Sequence, residues 1–114
     1  MRTAMIQQTI EEIEAKLLEE PKLSDEHRAE LLALLGTLKQ EMRELSKTHA
    51  DEAASIAGFT ELSTHIATRT GRNRRLLALS LEGLTTSVAG LEKSHPRLVE
   101  IVNSICTTLS NLGI

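Results

Sequence analysis

With 114 residues, the chain has room for one domain or for one subunit of an obligate oligomer. Its formal charge of −3 and pI near 5.8 argue against a general nucleic-acid binder, and Phe59 is its only aromatic residue besides histidine, so any core must be aliphatic. No apolar run approaches the roughly 18–20 residues of a membrane span, and Met1–Gln8 turns polar before an apolar signal core develops, so a cytoplasmic protein with no membrane partner is expected.

The first predicted helix covers about residues 3–20. Ile6, Ile10, Ile13 and Leu17 are spaced four, three and four apart and share one stripe, with Glu11, Glu12, Glu14 and Lys16 on the other sides. Pro21 stops it, because proline cannot donate the next helical hydrogen bond. Ser24 is the expected N-cap of the second helix, with Asp25 and Glu26 in its first turn, where the helix dipole favours negative charge. So short a linker folds the two helices into an antiparallel hairpin.

The second helix, from about residue 25, carries Leu31, Leu35, Leu38, Met42 and Leu45, and Leu32 and Leu34 widen its stripe beyond a two-strand seam. The pattern weakens near Thr48. No Pro or Gly stands there, and a phase through His49, Glu52, Ile56, Phe59 and Ile66 continues it, so one continuous or kinked helix to about residue 70 is favoured over a break. Gly71 ends that segment within a polar connection, Arg69–Arg75.

The next helix, predicted over residues 74–93, carries Leu77, Leu81, Leu84, Val88 and Leu91. Beside them a row of small residues, Ser80, Gly83, Ser87 and Gly90, forms a candidate helix-packing groove. Glycine costs about 1 kcal/mol against alanine inside a helix, so a close neighbour is the reason to keep it. His95 and Pro96 then break the chain, His95 as a cap and Pro96 at the first position of a last helix over residues 96–112. That helix carries Leu98, Val102, Ile105, Leu109 and Leu112, broadened by Ile101. Gly113 as a left-handed C′ residue would bring Ile114 onto Leu109 in a Schellman stop; the alternative is that Ile114 docks into a partner. A faint internal echo pairs Ile56-Ala57-Gly58-Phe59-Thr60 with Leu81-Glu82-Gly83-Leu84-Thr85. The fold class is therefore all-α: antiparallel hairpins in a four- to five-helix bundle, completed by homo-oligomerisation.

The run Leu91-Glu92-Lys93-Ser94-His95-Pro96-Arg97-Leu98, the terminal Leu109-Ser110-Asn111-Leu112-Gly113-Ile114 and the Pro21–Glu26 turn of the first hairpin resemble a family of short bacterial proteins known only as domain of unknown function forty-four-zero-four. The resemblance implies a small helical protein and supplies no activity.

Charge is unevenly divided. Residues 1–61 carry 13 acidic and 7 basic side chains, a net of −6, and residues 62–114 carry 3 acidic and 6 basic, a net of +3. The sharpest polar feature is Arg69, Arg72, Arg74 and Arg75, four cations at an expected helix N-terminus, where they oppose the dipole and call for a negative group nearby. Glu11, Glu12, Glu14 or Glu19, from the same chain or a second subunit, would answer that need. The functional alternative is a bound anion or nucleic-acid backbone. His49 with Glu52 and Glu61 with His65 have metal-compatible spacings but point about 120° apart on a straight helix, so no metal and no cofactor is expected. Cys106 is alone on an apolar helix and reads as a small hydrophobe, with no base beside it for nucleophilic chemistry. The expectation is a non-enzymatic, self-associating interaction or scaffold module, with an anion- or nucleic-acid-binding regulator as the alternative.

Overall fold

Five helices form in chain order: α1 (Arg2–Glu19), α2 (Asp25–Thr48), α3 (Ala50–Thr68), α4 (Arg74–Ser87) and α5 (Pro96–Asn111). The computed structural model describes residues 2–112, and among them there is no strand. Gly113 and Ile114, where the helix stop or partner contact was expected, lie outside the described residues. The helices close a ring in which α1 packs on α2, α2 on α5, α5 on α4, α4 on α3, and α3 back on α1; α3 also touches α2 and α5.

The heptad-spaced residues of α1, α2 and α5 supply the inside of this ring. Ile10, Leu38, Met42, Leu45, Leu98, Val102, Ile105 and Leu109 are completely buried. At roughly 1.5–3 kcal/mol for each large aliphatic side chain taken out of water, they are the main force holding the ring together. Leu32, Leu34 and Ile101, which broaden the stripes beyond one seam, pack half-buried against the same core. Because α2 meets three helices of its own chain, that extra width is used internally.

The α1–α2 turn is fixed at both of its helix ends. The Ser24 hydroxyl accepts from the amide of His27 at 3.1 Å, satisfying one of the free donors that open α2. Arg28, one turn into α2, closes the C-terminal end of α1: its Nε donates to the carbonyl of Leu17 at 2.9 Å, and Nη2 donates to the carbonyls of Glu20 and Leu23. Asp25 holds the guanidinium from the other side at 2.8 Å. A planar group with five donors can bridge several carbonyls at once, which a lysine cannot do. Farther along the hairpin, Lys39 lies 3.0 Å from Glu14 and 3.9 Å from Glu11, so these two acids are engaged within the α1–α2 pair.

The expected continuous helix through residue 48 is broken in the structure. His49 leaves the helical region at φ −131°, ψ 59°. Its amide still donates to Leu45, closing α2, and its carbonyl accepts from Ala53, opening α3. A single non-helical residue thus redirects the chain without Gly or Pro, and burial of α3 among its neighbours offsets the lost helical geometry. The apolar phase is also corrected. Glu52 is exposed and Phe59 only half-buried, whereas the buried face of α3 is Ala53, Ile56, Ala57, Thr60, Ser63, Thr64, Ile66 and Ala67.

Three threonines on α3 fold their hydroxyls back onto the helix. Thr60 donates to Ile56, Thr64 to Thr60 and Thr68 to Thr64, at 2.7–2.8 Å. Ser63 donates across to Ser80 of α4 at 3.0 Å, and Ser80 donates on to the Leu77 carbonyl at 2.8 Å. Hydroxyls satisfied in this way can be buried without the desolvation penalty of an unpaired polar group.

Replacing Arg28 with Ala removes a charged donor from each of three carbonyls, those of Leu17, Glu20 and Leu23. A loss of about 1.5–3 kcal/mol is expected from urea unfolding, in the range for hydrogen bonds to a charged group. Arg28→Lys should recover only a minor part of it.

Candidate functional site

Three surface regions hold the residues that the sequence singles out: the α3–α4 connection, the groove between α3 and α4, and the chain breaks that open α3 and α5. The connection leaves α3 through Arg69 in an extended conformation and turns at Gly71, whose φ of +65° suits a residue without a side chain. It lies beside the α1–α2 turn, with the Lys22 ammonium donating to the Thr70 hydroxyl. Lys22, Arg69 and Arg72 line a cavity of about 290 Å³ together with Glu20, Ser24 and His27. Arg74 and Arg75 open α4 itself and are exposed.

No ion pair is formed by Arg69, Arg72, Arg74 or Arg75 among the described residues. Two of the acids expected to answer them, Glu11 and Glu14, pair with Lys39 instead, and α1 does not touch α4; Glu19 shares a cavity with Arg69 but forms no ion pair with it. The amide end of α4 is capped from within, because the Asn73 side chain accepts from the amide of Leu76 at 3.0 Å. The sequence places Asn73 within the polar Arg69–Arg75 connection without marking it as a cap; its position just before an apolar-periodic run is the signal for one. Arg28 was missed as well, and no spacing rule would have found it, because its carbonyl partners converge only in the folded turn.

The small-residue row divides. Ser80 is buried in the hydroxyl relay to Ser63, and Gly83 lies directly beneath the ring of Phe59. A Cβ at Gly83 would fall 2.7 Å from Cδ1 and Cζ of that ring, closer than carbon atoms approach. The close neighbour is thus an aromatic side chain. Ser87 donates to the Leu84 carbonyl at 2.6 Å, and α4 ends there, six residues before the predicted boundary at 93. Gly90 is not in the helix: it takes φ +91° in a turn where its amide donates to Glu92. Val88 and Leu91 remain buried beyond the helix end, so the apolar spacing runs on across a turn. The two glycines of the internal echo are not equivalent either, since nothing lies within 4 Å of a Cβ at Gly58.

Phe59 and Gly83 form the floor of an open groove of about 690 Å³ between α3 and α4, with Glu52, Ser55, Leu79, Glu82 and Thr86 along it. Phe59 facing Gly83, and Ser63 facing Ser80, make the two helices antiparallel. Leu62 lies one turn beyond Phe59, and Leu76 one turn before Leu79. Leu62, Leu76 and Leu79 are 44%, 41% and 51% exposed, so this face holds three of the large apolar side chains left in water.

The histidines separate into different environments. His49 and His95 occupy the N-cap positions of α3 and α5 with nearly the same backbone angles, and neither side chain caps its helix. Instead, Nδ1 of His49 meets the Thr48 hydroxyl at 2.7 Å, and Nδ1 of His95 meets the Ser94 hydroxyl at 2.9 Å. The two rings stand edge to face with centroids 5.7 Å apart. Pro96 follows at the first position of α5. Glu61 and His65 lie about three turns along α3 from Glu52, in a cavity of about 420 Å³ against α1 with Lys16, Glu19, Glu20 and Arg69. Among the described residues no three His, Cys, Asp or Glu side chains are placed to hold one metal ion. Cys106 is half-buried; burial pushes its thiol above the ordinary cysteine value, and the Thr85 hydroxyl at 3.7 Å partly offsets this.

These features define a small all-helical bundle with an apolar, charge-flanked groove. The chain belongs to the family described as Domain of unknown function (DUF4404), whose sequence profile matches residues 6–114. No curated protein and no solved structure matches it. No described helix is long and apolar enough to cross a membrane.

The contact between Phe59 and Gly83 separates two glycine replacements. Gly58→Ala should raise stability by about 1 kcal/mol, as expected for an exposed helical glycine. Gly83→Ala should lower it by about 1–2 kcal/mol despite the same gain in propensity, because the Phe59 ring must move. Thermal or urea unfolding of the two variants reads the opposite signs.

Proposed function

We propose that this protein is a non-enzymatic, self-associating interaction or scaffold module of the cytoplasm. The observation that carries this reading is the antiparallel α3/α4 pair, where Leu62, Leu76 and Leu79 are exposed and Leu79 lines the groove over Phe59 and Gly83. Clustered apolar side chains at helical spacing on two adjacent helices make the kind of patch that marks protein contacts, whereas isolated exposed leucines do not. Met5 and Leu18, the other exposed large apolar side chains among the described residues, lie thirteen positions apart on α1, about 20 Å along its axis, and form no such patch. A lone cysteine kept as a thiol suits a reducing compartment.

Sedimentation of the wild-type chain at tens of micromolar should give a species heavier than the 12.5 kDa monomer. Leu79→Glu should return it to monomer with unchanged helical circular dichroism. A monodisperse monomer for the wild type contradicts self-association.

A second reading is favoured by a different observation, the gathering of Lys22, Arg69 and Arg72 around one cavity with Arg74 and Arg75 nearby. Cations without carboxylate partners can hold an anion such as a phosphate backbone. This reading expects binding of labelled single-stranded DNA or RNA that weakens with salt and is lost in the Arg72→Ala, Arg74→Ala, Arg75→Ala triple variant. Absence of binding at low salt ends it.

A further inference from the structure

The charges on α4 run against its own dipole. Its first turn contains no acid and begins with Arg74 and Arg75, while its one carboxylate, Glu82, lies in the C-terminal half. An isolated helix prefers the reverse, acids at the amino end and cations at the carboxyl end. Nothing among the described residues of the same chain corrects this, since neither arginine has a carboxylate partner. Arg75, Leu79, Glu82 and Thr86 fall on one stripe, with Leu79 and Glu82 on the wall of the α3/α4 groove.

We infer that the occupant of this face is a second copy of the chain, antiparallel across a two-fold axis near Ala78 and Leu79, with Arg75 of each copy against Glu82 of the other. This deepens the self-association reading and rests on it. Arg75 and Glu82 are two turns, about 10.5 Å, apart on the same side of the helix, so a two-fold axis midway superposes each on the other's partner. The axis then crosses Ala78, small enough for the helices to approach, and brings Leu79 of both copies together. Glu52, on the groove wall at the Glu82 end, adds negative charge where the partner's arginines arrive. A parallel pairing would place Arg75 against Arg75 and Glu82 against Glu82 and is disfavoured by its own charges. The antiparallel pairing also sets the two α4 dipoles side by side in opposite directions, each amino end beside the other's carboxyl half. The molecule measures 38 × 25 × 20 Å, which leaves room on this side for the about 800 Å² per partner of a standard interface.

The test is a charge-swap matrix read by sedimentation equilibrium. Arg75→Glu and Glu82→Arg should each weaken self-association about tenfold or more, since each single variant sets like charges opposite one another twice per dimer. Arg75→Glu places an acid in the first turn, where the α4 dipole favours it, and Glu82 is exposed, so both monomers stay folded, and circular dichroism checks this. An equimolar mixture of the two variants should form a heterodimer with affinity within about threefold of wild type, because every facing pair is then opposite in sign. The R75E/E82R double variant should pair with itself but not with wild type. If the wild type associates and neither single variant weakens it, the inferred geometry is wrong while self-association stands. If the wild type remains a monomer at hundreds of micromolar, both fall together.

Discussion

The narrowness of α3 is the constraint on which the rest of the bundle depends. It touches all four other helices, and a helix in that position must be slim on its inner face. Ala53, Ala57, Thr60, Ser63, Thr64 and Ala67 supply that slimness, with Ile56 and Ile66 as the large exceptions. Hydroxyls are tolerated there because they answer carbonyls of their own helix or the Ser80 relay. The larger aliphatic residues of α1, α2 and α5 then close around α3, and chain entropy is offset by their burial.

Polar groups at the helix ends decide how the chain enters and leaves this packing. Arg28 gathers the carbonyls at the end of α1, Ser24 and Asn73 cap α2 and α4, and the two histidine breaks bring the starts of α3 and α5 side by side. The cations of the α3–α4 connection take no part in such closure. That contrast sets them apart from charges that serve the fold, such as Lys39 between Glu11 and Glu14.

Much of the fold was legible because large aliphatic residues at four-three spacing name a buried face whatever else surrounds them. α1, α2, α4 and α5 follow that rule, and their stripes make up most of the core. The helix α3 does not, since its inner face is written in Ala, Ser and Thr, which periodicity in large apolar residues passes over. The same rule misled at Val88 and Leu91, which stay buried although a turn at Gly90 has replaced the helix. The break at His49 was illegible because neither Pro nor Gly marks it; it follows from where α3 must lie. The candidate site was half legible. The arginines stood out as a cluster, but their lack of ion-pair partners among the described residues and the exposure of Leu62, Leu76 and Leu79 required the spatial arrangement of α1, α3 and α4.

The slim face of α3 also makes the bundle unequal in the errors it tolerates. On α1, α2 and α5, trimming a buried aliphatic leaves a void, and loss of volume is the costly change. On α3 the danger is reversed. A single added methylene at Ala53, Ala57 or Ala67 presses outward on neighbours that already meet across it, and it is felt at several interfaces at once. Sequence drift in this chain is thus bounded from below on α1, α2 and α5 and from above on the buried face of α3, where the smallest side chains are the least replaceable.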